Sequence, residues 1–370
     1  MRVKWIEFEN LETGLKIERI NFNDDITLLV GISGAGKTQI LNAVEYSLKL
    51  AVTKYIELQP YKVTICIEID NNEYIWAYTI DKSKIEDIIV ENKEKYEFCY
   101  EKLEKNGILI FERNRDNIRV IGYDKVPNPK RDESLISQYS EEDNFEKLIG
   151  GMRKLYSVEM EMEIRKGIKS ENFIEMRNIV THALNAKPDF RVFSHFPAIM
   201  KIYIAKRYYY EDVFMKIFDD TKELFMELDD IDVVEDPDRE VFLLAIKVYG
   251  KTLMQYDISN GMLKSIYYIV ELHTMSKDSV VLIDEFENGL GVNCIDVLAE
   301  LLLTEREDLQ FIITSHHPKI INGIDAPKWK IIDRDCEIIK NASTENYGIG
   351  NSKHDSYFNL INRWEFEGKI

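Results

Sequence analysis

The sequence predicts an α/β protein with a mixed-sheet lobe, a helical insert and a second lobe built on a parallel sheet. Three observations carry that expectation. Ile26-Thr27-Leu28-Leu29-Val30 is a short, nearly unbroken apolar run, the pattern of a strand buried on both faces, and a glycine-rich loop and a helical repeat follow it directly. Three further apolar runs, at Val280–Ile283, Phe311–Ile313 and Lys330–Ile332, alternate with helical stretches, one at about 265–275 before the first run and one at 293–304 between the first and second. Strand–helix–strand order of this kind implies parallel strands joined by right-handed crossovers. Between the two regions, helical spacing dominates from Leu135 to Leu228, with breaks expected near Gly150-Gly151 and Pro188. The expected division is 1–133, a phosphate-loop lobe; 134–240, a helical insert; 241–340, a second lobe; and 341–370, a C-terminal tail.

Taken in order, Val3, Trp5, Ile6 and Phe8 read as a first strand, turned at Thr13-Gly14 so that Leu15, Ile17 and Ile20 pair back. Asn23-Asp24-Asp25 turns the chain into the apolar run. Gly31-Ile32-Ser33-Gly34-Ala35-Gly36-Lys37-Thr38 then fits G-x-x-x-x-G-K-[ST], the phosphate-binding loop. Its setting suits that chemistry. The free N–H groups and positive dipole end of the following helix, at Gln39–Leu48, meet a polyphosphate there. Gly31, Gly34 and Gly36 let the backbone curl, with Ser33 and Ala35 between them. Lys37 is expected to reach the β- and γ-phosphates and Thr38 to ligate Mg²⁺.

Val63, Ile65, Ile67 and Ile69 alternate with polar neighbours, and Asn71-Asn72 turns that strand into 73–80. Residues 95–122 continue as an antiparallel meander with a turn at Asn106-Gly107. Pro127, Pro129, Lys130 and Arg131 mark a loop. In the helical region, Tyr203, Tyr208, Tyr209, Tyr210, Phe214 and Phe218 read as a thick aromatic core face rather than a ligand surface. The acidic run from Asp229 to Asp236 reads as a solvated loop before Pro237 rather than a metal site. No internal repeat stands out, nor any heptad segment long enough for a coiled-coil arm.

Three later patterns complete the chemistry. Asp284 and Glu285 follow Val280–Ile283 at the carboxyl end of a strand, where Asp284 is expected beside Mg²⁺ and Glu285 beside the attacking water. Ser259-Asn260-Gly261 precedes an amphipathic helix on Leu263, Ile266, Tyr267, Ile269 and Val270. Ser259 is a candidate N-cap, and the helix start is a second anion-binding end. Thr314-Ser315-His316-His317-Pro318 ends the next strand and places His316 at its tip.

In this order the motifs resemble the ATP-binding cassette (ABC) ATPases. The likeness is nearest to the soluble branch holding SMC, RecF and OLD-type proteins and the single-chain AAA-domain ATPases of bacterial phage-defence operons. It covers residues 1–50 and 240–325 well and the middle poorly. The resemblance implies ATP and Mg²⁺ as cofactors and a signature loop at Ser259-Asn260-Gly261. It implies a Walker B pair at Asp284 and Glu285, a D-loop at Glu287-Asn288-Gly289-Leu290 and a switch histidine at His316. It makes Gln138 the candidate Q-loop residue, touching nucleotide and metal. It also implies a head-to-tail homodimer, or a higher homo-oligomer, in which Ser259 and Gly261 of one protomer cap ATP on the other. Two departures stand out. The signature reads Ile-Ser-Asn-Gly-Met instead of Leu-Ser-Gly-Gly-Gln, and Gly291 stands where relatives often carry His.

Composition narrows the function. Apolar residues make up 45% and charged residues 31%, an ordinary globular balance. The net charge of −18 weighs against broad phosphate-backbone binding, which needs clustered Lys and Arg. Nucleic acid is thus a possible partner but not the favoured one. No apolar run reaches the roughly 20 residues of a membrane span, and Met1–Glu7 reads as a strand start with no signal-peptide core. Cys66, Cys99, Cys294 and Cys336 are scattered, as reduced thiols of a cytoplasmic protein would be. The favoured expectation is a regulatory ATPase switching a separate effector protein, such as a nuclease or toxin, in anti-phage defence. The alternative is a RecF- or SMC-like DNA-repair ATPase. A transporter subunit is disfavoured, and a scaffold that binds ATP with little turnover stays open. The apolar stretch Lys353–Trp364 is expected either to pack on the second lobe or to contact the effector.

Overall fold

The computed structural model describes residues 1–343 apart from 55, 84–94, 123–128, 141–142, 158–165, 187, 209 and 305. The chain forms two compact units that interleave in sequence. One comprises Met1–Val158, Asp278–Phe286 and Asp308–Ile370, the other Glu159–Lys277 and Glu287–Glu307. The blocks expected at 134–240 and 241–340 therefore each contribute to both units. Lys353–Trp364 lies outside the described residues.

The first unit is organised on a sheet that has 13 strands among the described residues. Its antiparallel part is β1 (Arg2–Asn10), β2 (Lys16–Asn21), β4 (Tyr61–Ile69), β5 (Asn72–Lys82), β6 (Tyr96–Lys105), β7 (Ile108–Asn114) and β8 (Ile118–Val120). Its parallel part is β3 (Ile26–Val30), β9 (Leu155–Ser157), β14 (Val280–Ile283), β15 (Gln310–Thr314) and β16 (Trp329–Asp335). The order is β8-β7-β6-β5-β4-β1-β2-β17-β16-β3-β15-β14-β9, and β17 (Ile338–Ala342) joins the two parts by pairing parallel to β2 and antiparallel to β16. The apolar runs are explained by this order. Each of β3, β14 and β15 has a strand on both edges, and every residue of all three is buried.

Helix α1 (Lys37–Val52) buries Ile40, Leu41, Val44, Leu48 and Ala51. These join one apolar cluster with Ile65 and Ile67 of β4 and Trp76 of β5. Helix α2 (Leu135–Gln138) is a single capped turn, with Ser134 accepting from Ser137 N. Helix α3 (Asp143–Met152) runs through Gly150-Gly151, where a break was expected. Gly151 serves packing there, since a Cβ at that position would lie 2.5 Å from Ile69 Cδ1.

The second unit holds a small sheet of β10 (Ile168–Lys169), β11 (Leu228–Asp236), β12 (Val241–Val248) and β13 (Lys251–Met254). Its helices are α4 (Ser170–Ala183), α5 (Ala198–Arg207), α6 (Glu211–Leu224), α7 (Asn260–Thr274) and α8 (Val292–Thr304). The acidic run is corrected here: Asp229–Asp236 belongs to β11 and is not a loop. Ile231 and Val233 point inward on alternate positions, while Asp230 and Asp232 meet Lys206 and Arg207 of α5 at 2.7 and 3.0 Å. The aromatic face packs internally as expected. Tyr203 meets Phe173 edge-on at 4.9 Å, and Phe173 stacks on Phe242 at 3.7 Å. Tyr209 lies outside the described residues. Among the described residues, no helix is long and apolar enough to cross a membrane.

Candidate nucleotide site

The site lies at the carboxyl ends of β3, β15 and β14, where ligands bind in open α/β sheets. Residues 31–36 leave β3 and enter α1. The loop needs glycine at two positions for different reasons. A Cβ at Gly31 would sit 2.5 Å from the Ile332 carbonyl oxygen of β16. Gly36 caps α1 with φ of 101°, in the left-handed region. Gly31→Ala is therefore expected to displace the loop or β16. A fall in stability of about 1–3 kcal/mol, with loss of nucleotide binding, should be read by thermal melts and fluorescent-nucleotide titration.

No side chain caps α1, and its first turn carries no acidic residue of its own. Lys37 is buried, and its Nζ donates to the Gly31 carbonyl at 2.7 Å and the Ile32 carbonyl at 3.0 Å. The ammonium thus spans the mouth of the loop. Ser33 and Gly34 are exposed on its rim, and Ala35 is buried beneath.

Thr38 and Asp284 are distant in sequence and touch in space: Thr38 Oγ1 donates to Asp284 Oδ2 at 2.7 Å. A hydroxyl and a carboxylate are hard oxygen donors, a set that fits Mg²⁺ with water and phosphate oxygens completing its shell. The other carboxylate oxygen, Asp284 Oδ1, accepts from Thr314 Oγ1 at 2.5 Å. That same hydroxyl oxygen accepts from Glu285 N at 2.7 Å, and Phe286 N donates to the Thr314 carbonyl at 3.1 Å. Glu285 is exposed, with φ of 46°. His316 is exposed just past β15. His317 caps the short helix α9 (Pro318–Gly323), accepting from Lys319 N at 3.3 Å.

Gln138 is engaged elsewhere. Its Oε1 accepts from Lys130 N at 2.8 Å, and its Nε2 donates to the carbonyls of Lys130 and Glu133 at 3.0 and 2.9 Å. Among the described residues, no hydrogen bond joins it to the phosphate loop.

In the second unit, Ser259 caps α7, accepting from Met262 N at 3.3 Å, with Ser259 and Asn260 exposed. Gly261 lies close to the 287–291 loop, where a Cβ would meet Gly291 N at 3.2 Å and the Gly289 carbonyl at 3.3 Å. Lys264 Nζ donates to the Asn288 carbonyl. The start of α7 and this loop are thereby one local element.

Sequence reasoning left one member of the site without a role. Parallel register pairs Ile283 with Ile313, so the next residues, Asp284 and Thr314, are neighbours. A threonine closing an apolar strand was the available signal.

Fold and loop together define the class: an α/β P-loop fold like that of SMC heads. The family model described as "AAA domain, putative AbiEii toxin, Type IV TA system" matches residues 164–322. An SMC head solved bound to the C-terminal winged-helix domain of ScpA superposes with a TM-score of 0.51 at 14% identity, covering 94% of this chain and 99% of that one. At that identity the likeness shows the fold. The SMC head domain of Thermotoga maritima matches with a TM-score of 0.45 at 12% identity, over 93% of this chain and 99% of that one. A Pyrococcus furiosus SMC head gives 0.46 at 13%, over 93% and 97%. No curated protein matches by sequence.

Proposed function

We propose that the chain is an Mg²⁺-dependent ATP hydrolase that works as a nucleotide-gated switch for a separate effector protein. The observation that carries this reading is the Thr38–Asp284 contact of 2.7 Å at the mouth of a lysine-spanned phosphate loop. Lys37 leaves the loop carbonyls for the β- and γ-phosphates. Thr38 and Asp284 hold Mg²⁺, which neutralises charge on the phosphates when bound. Glu285 orients the attacking water, and His316 lies against the γ-phosphate side. Ser259, Asn260 and Gly261 of a second copy close each site, so that ATP favours a closed pair. Gln138 enters this reading only if nucleotide draws its amide from Lys130 and Glu133.

Two findings support a partner and its setting. The SMC head of similar fold is solved with a bound partner domain. The matching family model names a putative toxin of a toxin–antitoxin system, which fits an effector module in anti-phage defence. The net charge of −18 favours a protein partner over duplex DNA.

The test is the solution mass of Glu285→Gln by light scattering. The mass is expected to double with ATP and Mg²⁺, and Ser259→Arg to block the doubling while nucleotide still binds. A nucleotide-loaded monomer overturns the composite site. Steep salt-dependent duplex binding stimulated by ATP shifts the reading to the RecF- or SMC-like alternative.

A further inference from the structure

We infer that Thr314 is a positioning residue that sets both acidic groups of the site, an inference resting on the nucleotide–Mg²⁺ reading above. A threonine hydroxyl has one proton to donate and lone pairs to accept with. Here the proton goes to Asp284 Oδ1 at 2.5 Å, and a lone pair takes the Glu285 N–H at 2.7 Å. Thr314 is fully buried, so bulk water does not compete for either bond.

The consequences differ for the two carboxylates. Asp284 is gripped on both oxygens by hydroxyls, from Thr38 on one side and Thr314 on the other. That fixes the plane of the carboxylate and leaves each oxygen a free lone pair. Glu285 is held through its backbone. Its φ of 46° is a conformation few residues with a side chain adopt. The two successive N–H groups of the turn, Glu285 and Phe286, both end on Thr314, one on the hydroxyl and one on the carbonyl. Thr314 thus fastens the turn that aims Glu285. It also stands two residues before His316, so one strand end links the γ-phosphate side of the site to the metal side.

The test compares Thr314→Val, which keeps shape and removes the hydroxyl, with Thr314→Ser, which keeps the hydroxyl. Two readouts are used: the Mg²⁺ dependence of fluorescent-ATP affinity, which needs no turnover, and steady-state ATP hydrolysis. Outer-shell partners of metal ligands typically contribute about 10–100-fold in metal affinity or activity. Thr314→Val is expected to raise the half-saturating Mg²⁺ concentration and lower kcat within that range, with Mg²⁺-free nucleotide affinity unchanged. Thr314→Ser is expected to match the parent. If the valine chain does not melt cooperatively, Thr314→Ala takes its place. Parent-like Mg²⁺ dependence in the hydroxyl-free variants overturns the inference, as does a serine variant that loses as much as valine. A parent chain that binds Mg²⁺–ATP and never hydrolyses it sinks the hydrolase reading alone, and the affinity readout still decides Thr314.

Discussion

ATP turnover by the Glu285→Gln chain is expected to fall about 10²- to 10⁴-fold, the range for a lost general base. In barrier terms that is about 3–5 kcal/mol. Glutamine keeps the length and shape of glutamate, so the left-handed turn and its bonds to Thr314 are retained. Under the proposed role, what is lost is the ability to take a proton from, and polarise, the attacking water. Glu285 is exposed and lies after the strand that supplies Asp284, so the substitution leaves the fold and the loop untouched. Nucleotide affinity should therefore stay near that of the parent. Single-turnover phosphate release and fluorescent-nucleotide titration on the same preparation separate the two. Equal loss of affinity and turnover would mean that Glu285 shapes the binding site. Unchanged turnover would place the base on another residue.

Much of this site was legible because buried parallel strands leave a strong mark. β3, β14 and β15 carry nearly continuous apolar runs since both faces and both edges are covered. The motif residues follow those runs, so Lys37, Thr38, Asp284 and Glu285 are legible just past strand ends in the sequence itself. Partnerships across the sheet were less legible. Nothing in the local pattern says that β16 brings the Ile332 carbonyl against Gly31, or that β17 bridges to β2. The acidic stretch in β11 misled because its carboxylates masked the alternating Ile231 and Val233, and the cations that balance them sit on α5. Gln138 was placed by resemblance, whereas its amide is taken by a loop only a few residues upstream. Side-chain hydrogen bonding of that kind depends on local backbone shape, which a sequence pattern does not encode.

The second large effect concerns stability. Glu101→Leu is expected to lower the unfolding free energy by about 3–5 kcal/mol, the cost of leaving a buried charge without its partner. Glu101 is fully buried and Arg113 is 3% exposed, and their charged groups meet at 2.8 Å. The carboxylate also accepts from Trp76 Nε1 at 3.0 Å and from Leu135 N at 3.0 Å, the first residue of α2. Arg113 donates to the carbonyls of Lys130 and Glu133 at 3.0 and 2.7 Å and lies over the Phe98 ring. The pair therefore pins β5, β6 and β7 to the turn that leads into α2. Leucine removes the counter-charge and leaves the indole and backbone donors unpaired at once. Burial pushes the Glu101 carboxyl above its ordinary value, against the pull of Arg113, Leu135 N and Trp76. A carboxyl whose pKa is higher folded than unfolded makes the folded chain the tighter proton binder. Its contribution to stability is then greatest below the unfolded value of about 4.3 and declines as pH rises through the folded one. Urea unfolding of the parent, Glu101→Leu and Glu101→Leu/Arg113→Leu across the acidic-to-neutral range measures both effects. The single variant should lose that pH component along with the stability. The double variant should recover part of the loss, because an apolar pair leaves no orphaned charge. A double variant as unstable as the single one would mean that the unpaired Trp76 and Leu135 donors, and not the isolated arginine, carry the cost.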